Sequence, residues 1–220
     1  MSEVSDPIFA KIARRYDRIN GILSLGQEKH WRAIGVELLE PGLVLDLGCG
    51  TGDTDFDGRE VIGLDPVSEM IALSPIPARV VGIGEELPIR DESLDGVFSA
   101  FVFRNLTSVD RTLEEIQRVL RPGASAVIID LGRPENPVLR VLHRVGTAVI
   151  LPIVGLFFAR APKEYWYLHK SLDSLPPPEA LYDSSGLVLE EVWRTGVFGF
   201  VYGVRLRKPR AAIEKEPEAA

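Results

Sequence analysis

The run Val44-Leu45-Asp46-Leu47-Gly48-Cys49-Gly50-Thr51-Gly52-Asp53 limits what this chain can fold into more than any other stretch. An apolar segment, Leu43 to Leu47, stops at three glycines spaced one apart, which reads as a buried strand feeding a tight loop. Glycine there permits positive φ and lets a ligand approach the main chain without meeting a Cβ. A second apolar run, Val61 to Leu64, closes on Asp65. Strand, glycine loop and an acidic residue ending the next strand are the layout of a nucleoside-binding site, the carboxylate accepting hydrogen bonds from ribose hydroxyls.

The spacing narrows the ligand. Gly-x-Gly-x-Gly is not the G-x-G-x-x-G that opens a helix onto a pyrophosphate, and no Lys-Ser/Thr follows as in a P-loop. A nucleoside without phosphate, S-adenosylmethionine (SAM), fits, and a dinucleotide dehydrogenase fits poorly. Taken alone, the loop could also be a structural turn.

At 220 residues the chain can bury one sizeable core, and we expect a single domain over residues 1–207. A net charge of −7 and a pI near 5.1 argue against a nucleic-acid partner, which needs a basic face. Cys49 is the only cysteine, and His30, His143 and His169 lie far apart, so neither a disulfide nor a metal site is expected. Residues 1–8 are polar and acidic rather than leader-like, and the expectation is a cytoplasmic protein. One stretch tests that expectation. Val145 to Phe158 has no charge and is interrupted by Pro152. A membrane span needs about twenty apolar residues, so this one is too short to cross. It reads either as a buried helix pair broken at the proline, or as an apolar lid or lipid-touching surface that would make the protein peripheral to a membrane.

Taken in order, residues 6–20 read as an amphipathic helix with Ile8, Phe9, Ile12, Ala13 and Tyr16 on one side. A second helix, roughly 27–39, presents Trp31, Ile34, Leu38 and Leu39. These N-terminal helices, within residues 1–40, are expected to cover the ligand cleft or simply to pack. Beyond Asp65, Ser68 and Glu69 suit a helix start in 66–73, a weak strand follows at 79–83, and Leu94 to Phe101 is the next strand. Thr107 or Ser108 can cap a helix running to Leu120; Arg121-Pro122-Gly123 should stop it, and Ser125 to Leu131 is a further buried strand. Segments 186–194 and 197–206 suggest an antiparallel hairpin at the sheet edge, and 208–220 a disordered tail. Alternating strands and helices give an α/β fold with a mainly parallel sheet.

One connection is too short. Between Leu47 and Glu60 lie residues 48–59, of which 48–52 are the glycine loop. A parallel crossover needs about a dozen residues, usually with a helix. The remaining Asp53-Thr-Asp-Phe-Asp-Gly-Arg59 predicts that the helix is missing or reduced to one turn around Phe56. One sheet face would then lack cover, to be filled by the N-terminal helices or by a second subunit in a homodimer.

By this point the chain resembles class I SAM-dependent methyltransferases, and more narrowly the ubiquinone/menaquinone biosynthesis C-methyltransferases (the UbiE/MenG family). The resemblance rests on Phe9…Ile12-Ala13…Tyr16-Asp17…Asn20…Ser24…Gly26…Trp31-Arg32, on Asp46-Leu-Gly-Cys-Gly-Thr-Gly-Asp53, on Phe101-Val-Phe-Arg104-Asn105-Leu, on Arg118-Val-Leu-Arg-Pro-Gly123, and on Glu135-Asn-Pro and Tyr165-Trp-Tyr-Leu…Ser171-Leu. It implies a Rossmann-like sheet with an antiparallel C-terminal strand and a substrate-side helical insertion at 135–175. It also implies SAM as cofactor, and a methyl transfer to a ring carbon of a prenylated quinol.

A phenol carbon becomes nucleophilic when its hydroxyl loses a proton, so such a site must favour the phenolate in a dry pocket. On this resemblance Arg104 would stabilise the oxyanion, with deprotonation through a water held by Arg104 or Asn105. A structural ion pair is the alternative for Arg104. Tyr16 and Asp17 would orient the ring, or else be a core tyrosine and a surface carboxylate. Asp46 belongs to the loop motif; Gly48, Gly50, Thr51, Gly52 and Asp65 would hold SAM, with the backbone at Ile83-Gly84 near adenine. The family usually offers Asp or Asn where Ile83 stands and Ser where Ala100 stands, so both changes predict weaker cofactor binding. Two rivals remain at this stage: another lipophilic or phenolic acceptor, and a degenerate SAM-fold protein that binds without turnover.

Overall fold

The computed structural model describes residues 24, 26–154, 172–173, 176–182 and 185–210. The expected helix at 6–20 with Tyr16 and Asp17, the Tyr165 segment and residues 211–220 lie outside the described residues.

Seven strands form one sheet: β1 (Leu43–Leu47), β2 (Glu60–Asp65), β3 (Ala78–Val81), β4 (Leu94–Ala100), β5 (Leu120–Leu131), β6 (Val188–Thr195) and β7 (Val201–Arg207). Their order is β3-β2-β1-β4-β5-β7-β6. β3, β2, β1, β4 and β5 run parallel, whereas β7 runs antiparallel to both β5 and β6. This is the expected Rossmann-like sheet, with the antiparallel hairpin at its edge. The central strands are mostly apolar because helices and loops lie over them, with Asp46, Ser99, Ser125 and Asp130 as their buried polar residues. Val44, Leu45, Val97, Phe98, Val127 and Ile128 are fully buried.

Among the described residues the helices are α1 (Glu28–Glu37), α2 (Ser68–Ile71), α3 (Val109–Val119), α4 (Pro137–Val154) and α5 (Pro178–Leu181). Ser108 caps α3, its hydroxyl accepting the Arg111 N–H at 3.2 Å. α1 buries Trp31, Gly35 and Val36, and Leu39 just past its end, so its packed face centres on Gly35 and leaves Ile34 half-buried, contrary to the expected stripe. The reason is close approach: a Cβ at Gly35 would overlap Ile129 and Phe98.

Two boundaries differ from expectation. α3 passes directly into β5 at Leu120, and Arg121-Pro122-Gly123 forms an irregularity in that strand rather than a loop. Pairing shifts there from Leu94↔Leu120 to Gly96↔Ser125. Lys208 is tied down rather than part of a loose tail. Its N–H donates to the Ala124 carbonyl at 2.9 Å, and its carbonyl accepts the Gly123 N–H at 2.9 Å.

The shortened crossover is borne out. Residues 48–59 contain turns and no helix. Phe56 does part of the missing helix's work, meeting Phe98 edge-on at 5.5 Å in the cluster with Trp31, Val36, Leu39 and Val44. Beside it an open groove of ≈ 500 Å³ runs along Val61, Ile62, Pro75 and Ile76, the uncovered part of the face. Among the described residues no helix is long and apolar enough to cross a membrane, and no group of side chains has the makings of a metal site.

Candidate active site

The cleft forms where the parallel strands end. Gly48, Gly50 and Gly52 adopt φ of 75°, 54° and 75°, the left-handed backbone that only glycine holds without strain. A Cβ on Gly48 would overlap Val102, and one on Gly52 would overlap Ser74. The loop is pinned to β2: the N–H groups of Gly48 and Cys49 both donate to the Leu64 carbonyl, at 2.7 and 3.0 Å. Asp65 completes the clamp, Oδ2 accepting the Gly50 N–H and Oδ1 the Val67 N–H, each at 2.9 Å. With these two bonds the Asp65 carboxylate ties the glycine loop to the turn that follows β2.

The cleft is lined by Gly48, Cys49, Gly50, Thr51, Asp53, Asp65, Val67, Met70, Arg32, Ala100, Phe101, Val102 and Asn105. Asp46 lies beneath it, 2 % exposed, with Oδ2 lacking a hydrogen-bond partner among the described residues. Burial pushes its carboxyl up to about 7; Arg32 opposes that rise and Asp65 adds to it. Burial likewise raises the Cys49 thiol far above its usual value, with Asp46 and Asp65 reinforcing, so this cysteine is a packing residue and no nucleophile.

Arg32 and Phe101 stand in the motifs quoted above, but their part in the cleft wall is not read from spacing. Arg32, projecting from α1, pairs with Asp53 at 3.4 Å and lies over the Phe101 ring at 5.6 Å, while its buried Nε lacks a partner among the described residues. Lys29 reaches the same Asp53 at 3.5 Å, so α1 is tethered to the end of the glycine loop. Phe101 itself holds φ of 67°. That costs about 1–3 kcal/mol for a non-glycine residue and marks the sharp exit of the chain from β4.

The candidate residues are only partly brought together. Gly48, Gly50, Thr51, Asp65, Ala100 and Asn105 share the cleft wall, with Gly52 next to Asp53 and Asp46 below. Arg104 does not line the cleft. Its guanidinium donates to Asp130 through a buried ion pair, and its backbone N–H donates to the same carboxylate at 3.1 Å. The alternative reading, a structural pair, is what the fold contains: β4 and β5 pair Ala100 with Ile129, which sets Asp130 under the turn Phe103–Asn105. Asn105 is 5 % exposed, and its side-chain amide reaches the Phe101 carbonyl at 3.4 Å. Ile83 and Gly84 also fall outside the cleft. β3 ends at Val81, a bridge between Ile83 and Glu86 tightens the turn, and Ile83 is left 41 % exposed.

A cradle of left-handed glycines, a buried acid at the end of the neighbouring strand, and buried polar atoms of both charges fit SAM, which brings a ribose, an α-ammonium and an α-carboxylate. Comparison with known proteins agrees. Residues 2–188 match the model of the ubiE/COQ5 methyltransferase family. A demethylmenaquinone methyltransferase of Roseiflexus sp. (strain RS-1) is 36% identical over 196 residues, 82% of each chain. A 2-phytyl-1,4-naphtoquinone methyltransferase of a Synechocystis strain is 34% identical over 190 residues, 77% of this chain and 79% of the other. A SAM-dependent methyltransferase structure from Thermotoga maritima, 18% identical, superposes with a TM-score of 0.65 over 92% of this chain and 99% of its own.

Proposed function

As a member of the ubiE/COQ5 methyltransferase family, this chain is a SAM-dependent methyltransferase, and we propose that it methylates a ring carbon of a prenylated quinol, demethylmenaquinol or a near relative. The observation that carries this is the clamp in which Asp65 and the Leu64 carbonyl hold a left-handed glycine loop against a wall ending in Asn105. Relatives named for demethylmenaquinone and for a phytyl naphthoquinone favour a fused-ring, isoprenoid-bearing acceptor. Such a molecule is insoluble in water, so the enzyme meets it at the periphery of a membrane.

SAM supplies an electrophilic methyl on its sulfonium. Gly48, Gly50, Thr51 and Gly52 would accommodate it along the backbone, and Asp65 would take the ribose hydroxyls. The partnerless atoms suggest the polar end: Arg32 for the α-carboxylate and Asp46 for the α-ammonium. Phe101 and Val102 would exclude water above the loop. Asn105, in the cleft wall, would hold a quinol hydroxyl or the water that takes its proton. Arg104 acts at one remove, its pairing with Asp130 fixing the turn that carries Asn105. Tyr16 and Asp17, on the resemblance, would orient the ring.

The test is product analysis by mass spectrometry with SAM and reduced prenylated naphthoquinone or benzoquinone. We expect a single ring methyl on the naphthoquinol. SAM binding in a calorimeter without methylation of either acceptor would overturn the reading.

A further inference from the structure

The open groove beside Phe56 has the dimensions of one helix. On this face of the sheet α1 packs over β4 and β5, and α2 over β2 and β3. Val61 packs against the cluster of Trp31 and Val36 on one side and against Ile71 and Ile76 on the other. Among the described residues no helix lies between α1 and α2. The gap is two strands wide, roughly 10 Å, which is the diameter of a helix with its side chains. Its walls are Phe56, Val61, Pro75 and Ile76, around ≈ 500 Å³ of open space. Its rim is acidic: Asp55 and Glu60 are exposed there, whereas Arg59 donates to the Leu39, Glu40 and Phe56 carbonyls.

We propose that residues 6–20 form the helix that fills this groove, running antiparallel to α1. Place argues for it first. The first turn of α1 is tied to the C-terminal end of the sheet, Lys29 and Arg32 pairing with Asp53 at 3.5 and 3.4 Å. Gly52 and Thr54, on either side of Asp53, line that end of the groove, and Leu43 lines the other. Only residues 21–27 separate the expected helix from α1, and so short a connection returns a helix beside its neighbour. The flank of α1 toward β7 is taken, Trp31 meeting Phe200 edge-on at 6.0 Å. The flank toward β1 holds Phe56 and then the groove. Length agrees, since residues 6–20 span about 22 Å as a helix and the six residues of β2 about 20 Å. So does chemistry. Ile8, Phe9, Ile12, Ala13 and Tyr16 give the segment one apolar side that needs cover. Arg15 borders that side while Arg14 and Arg18 lie opposite, so the positive charge stays at or outside the acidic rim. A second copy of this chain would instead set Asp55 and Glu60 against their own like. In this seat Tyr16 and Asp17 come to the Gly52 end, beside the cleft. That deepens the prenylated-quinol reading, and rests on it for the part those two residues play.

The test is photo-crosslinking of the full chain with p-benzoylphenylalanine placed at Phe9, the adducts being mapped by mass spectrometry. The expected adducts fall within one chain, on residues 54–62 and 75–78, the segments that line the groove. Adducts on the cleft wall at 100–105, adducts joining two chains, or no adduct at all would each overturn the proposal. A second variant, Ile8→Ser with Ile12→Ser, removes apolar contact without touching the groove's own residues. It should lower the melting temperature by several degrees and raise the fluorescence of a hydrophobic dye severalfold. A parent-like protein on either reading would overturn the proposal as well. Neither measurement needs donor or acceptor. Failure of the adducts therefore leaves the quinol reading standing, and failure of methylation leaves the adducts unaffected.

Discussion

Asp65 Oδ2 accepts the Gly50 N–H at 2.9 Å, so the carboxylate that ends one strand fixes the loop that ends its neighbour. Removing it takes away the clamp and, on the proposed function, the ribose contact together. Asp65→Ala is expected to weaken SAM binding by about a hundredfold to ten-thousandfold, two charge-assisted hydrogen bonds being worth about 1.5–3 kcal/mol each. Asp65→Asn, which still accepts one N–H, should lose about tenfold. Titration calorimetry reads both, and equal affinity for the parent and Asp65→Ala would take Asp65 out of the site.

Gly48→Ala tests the loop's backbone. At φ 75° a side chain is strained, and its Cβ would overlap Val102. The expected result is loss of SAM binding with a melting temperature lowered by several degrees, about 1–2 kcal/mol. A variant that binds SAM normally would mean that the loop moves freely.

Arg104 and Asp130 are buried together, with side chains 8% and 0% exposed. Arg104→Ala or Asp130→Ala alone strands a charge and should cost about 3–5 kcal/mol, read by denaturant unfolding. The double variant should cost less than the sum of the two. If Arg104→Ala instead keeps full stability and loses only turnover, the guanidinium belongs to the chemistry after all.

Asp46 gives a pH signature. Burial raises its folded pKa from 3.8 to about 7, so between those values the folded chain binds a proton that the unfolded chain has released. Its contribution to stability is therefore full below the lower value and is lost as pH rises through about 7. Against the parent, Asp46→Asn should gain relative stability as pH increases across that window. Parallel thermal-midpoint curves for the two proteins would contradict the shift.

Phe56 stands in for an absent helix against Phe98. Phe56→Ala should cost about 3 kcal/mol in denaturant unfolding, because no helix is there to collapse into the space.

How much of this was legible beforehand depended on whether the cause was local. The strand Leu43–Leu47, its glycine turn and the Ser108 cap are set by neighbouring residues, and all appear where spacing places them. The missing crossover helix could be read by counting residues. The partner of Arg104 could not, because Asp130 becomes its neighbour only through the pairing of β4 with β5. Phe101's left-handed backbone was equally hidden, since nothing in a phenylalanine announces that conformation. The α1 face was misread because Gly35, which has no side chain to score as apolar, marks the closest approach to the sheet. Family likeness puts the backbone at Ile83-Gly84 near adenine; β3 ends at Val81 and the bridge from Ile83 to Glu86 follows, a turn that no local spacing announces.

The brevity of residues 48–59 reaches into the order of folding. Leu43 pairs with Glu60 and Leu47 with Leu64, a small loop by the standard of parallel strands. Closing a shorter loop surrenders less chain entropy, and contacts near in sequence form sooner. β1 and β2 should therefore zip together early, giving the chain a nucleus that already contains Gly48, Gly50 and Asp65 before the C-terminal hairpin arrives.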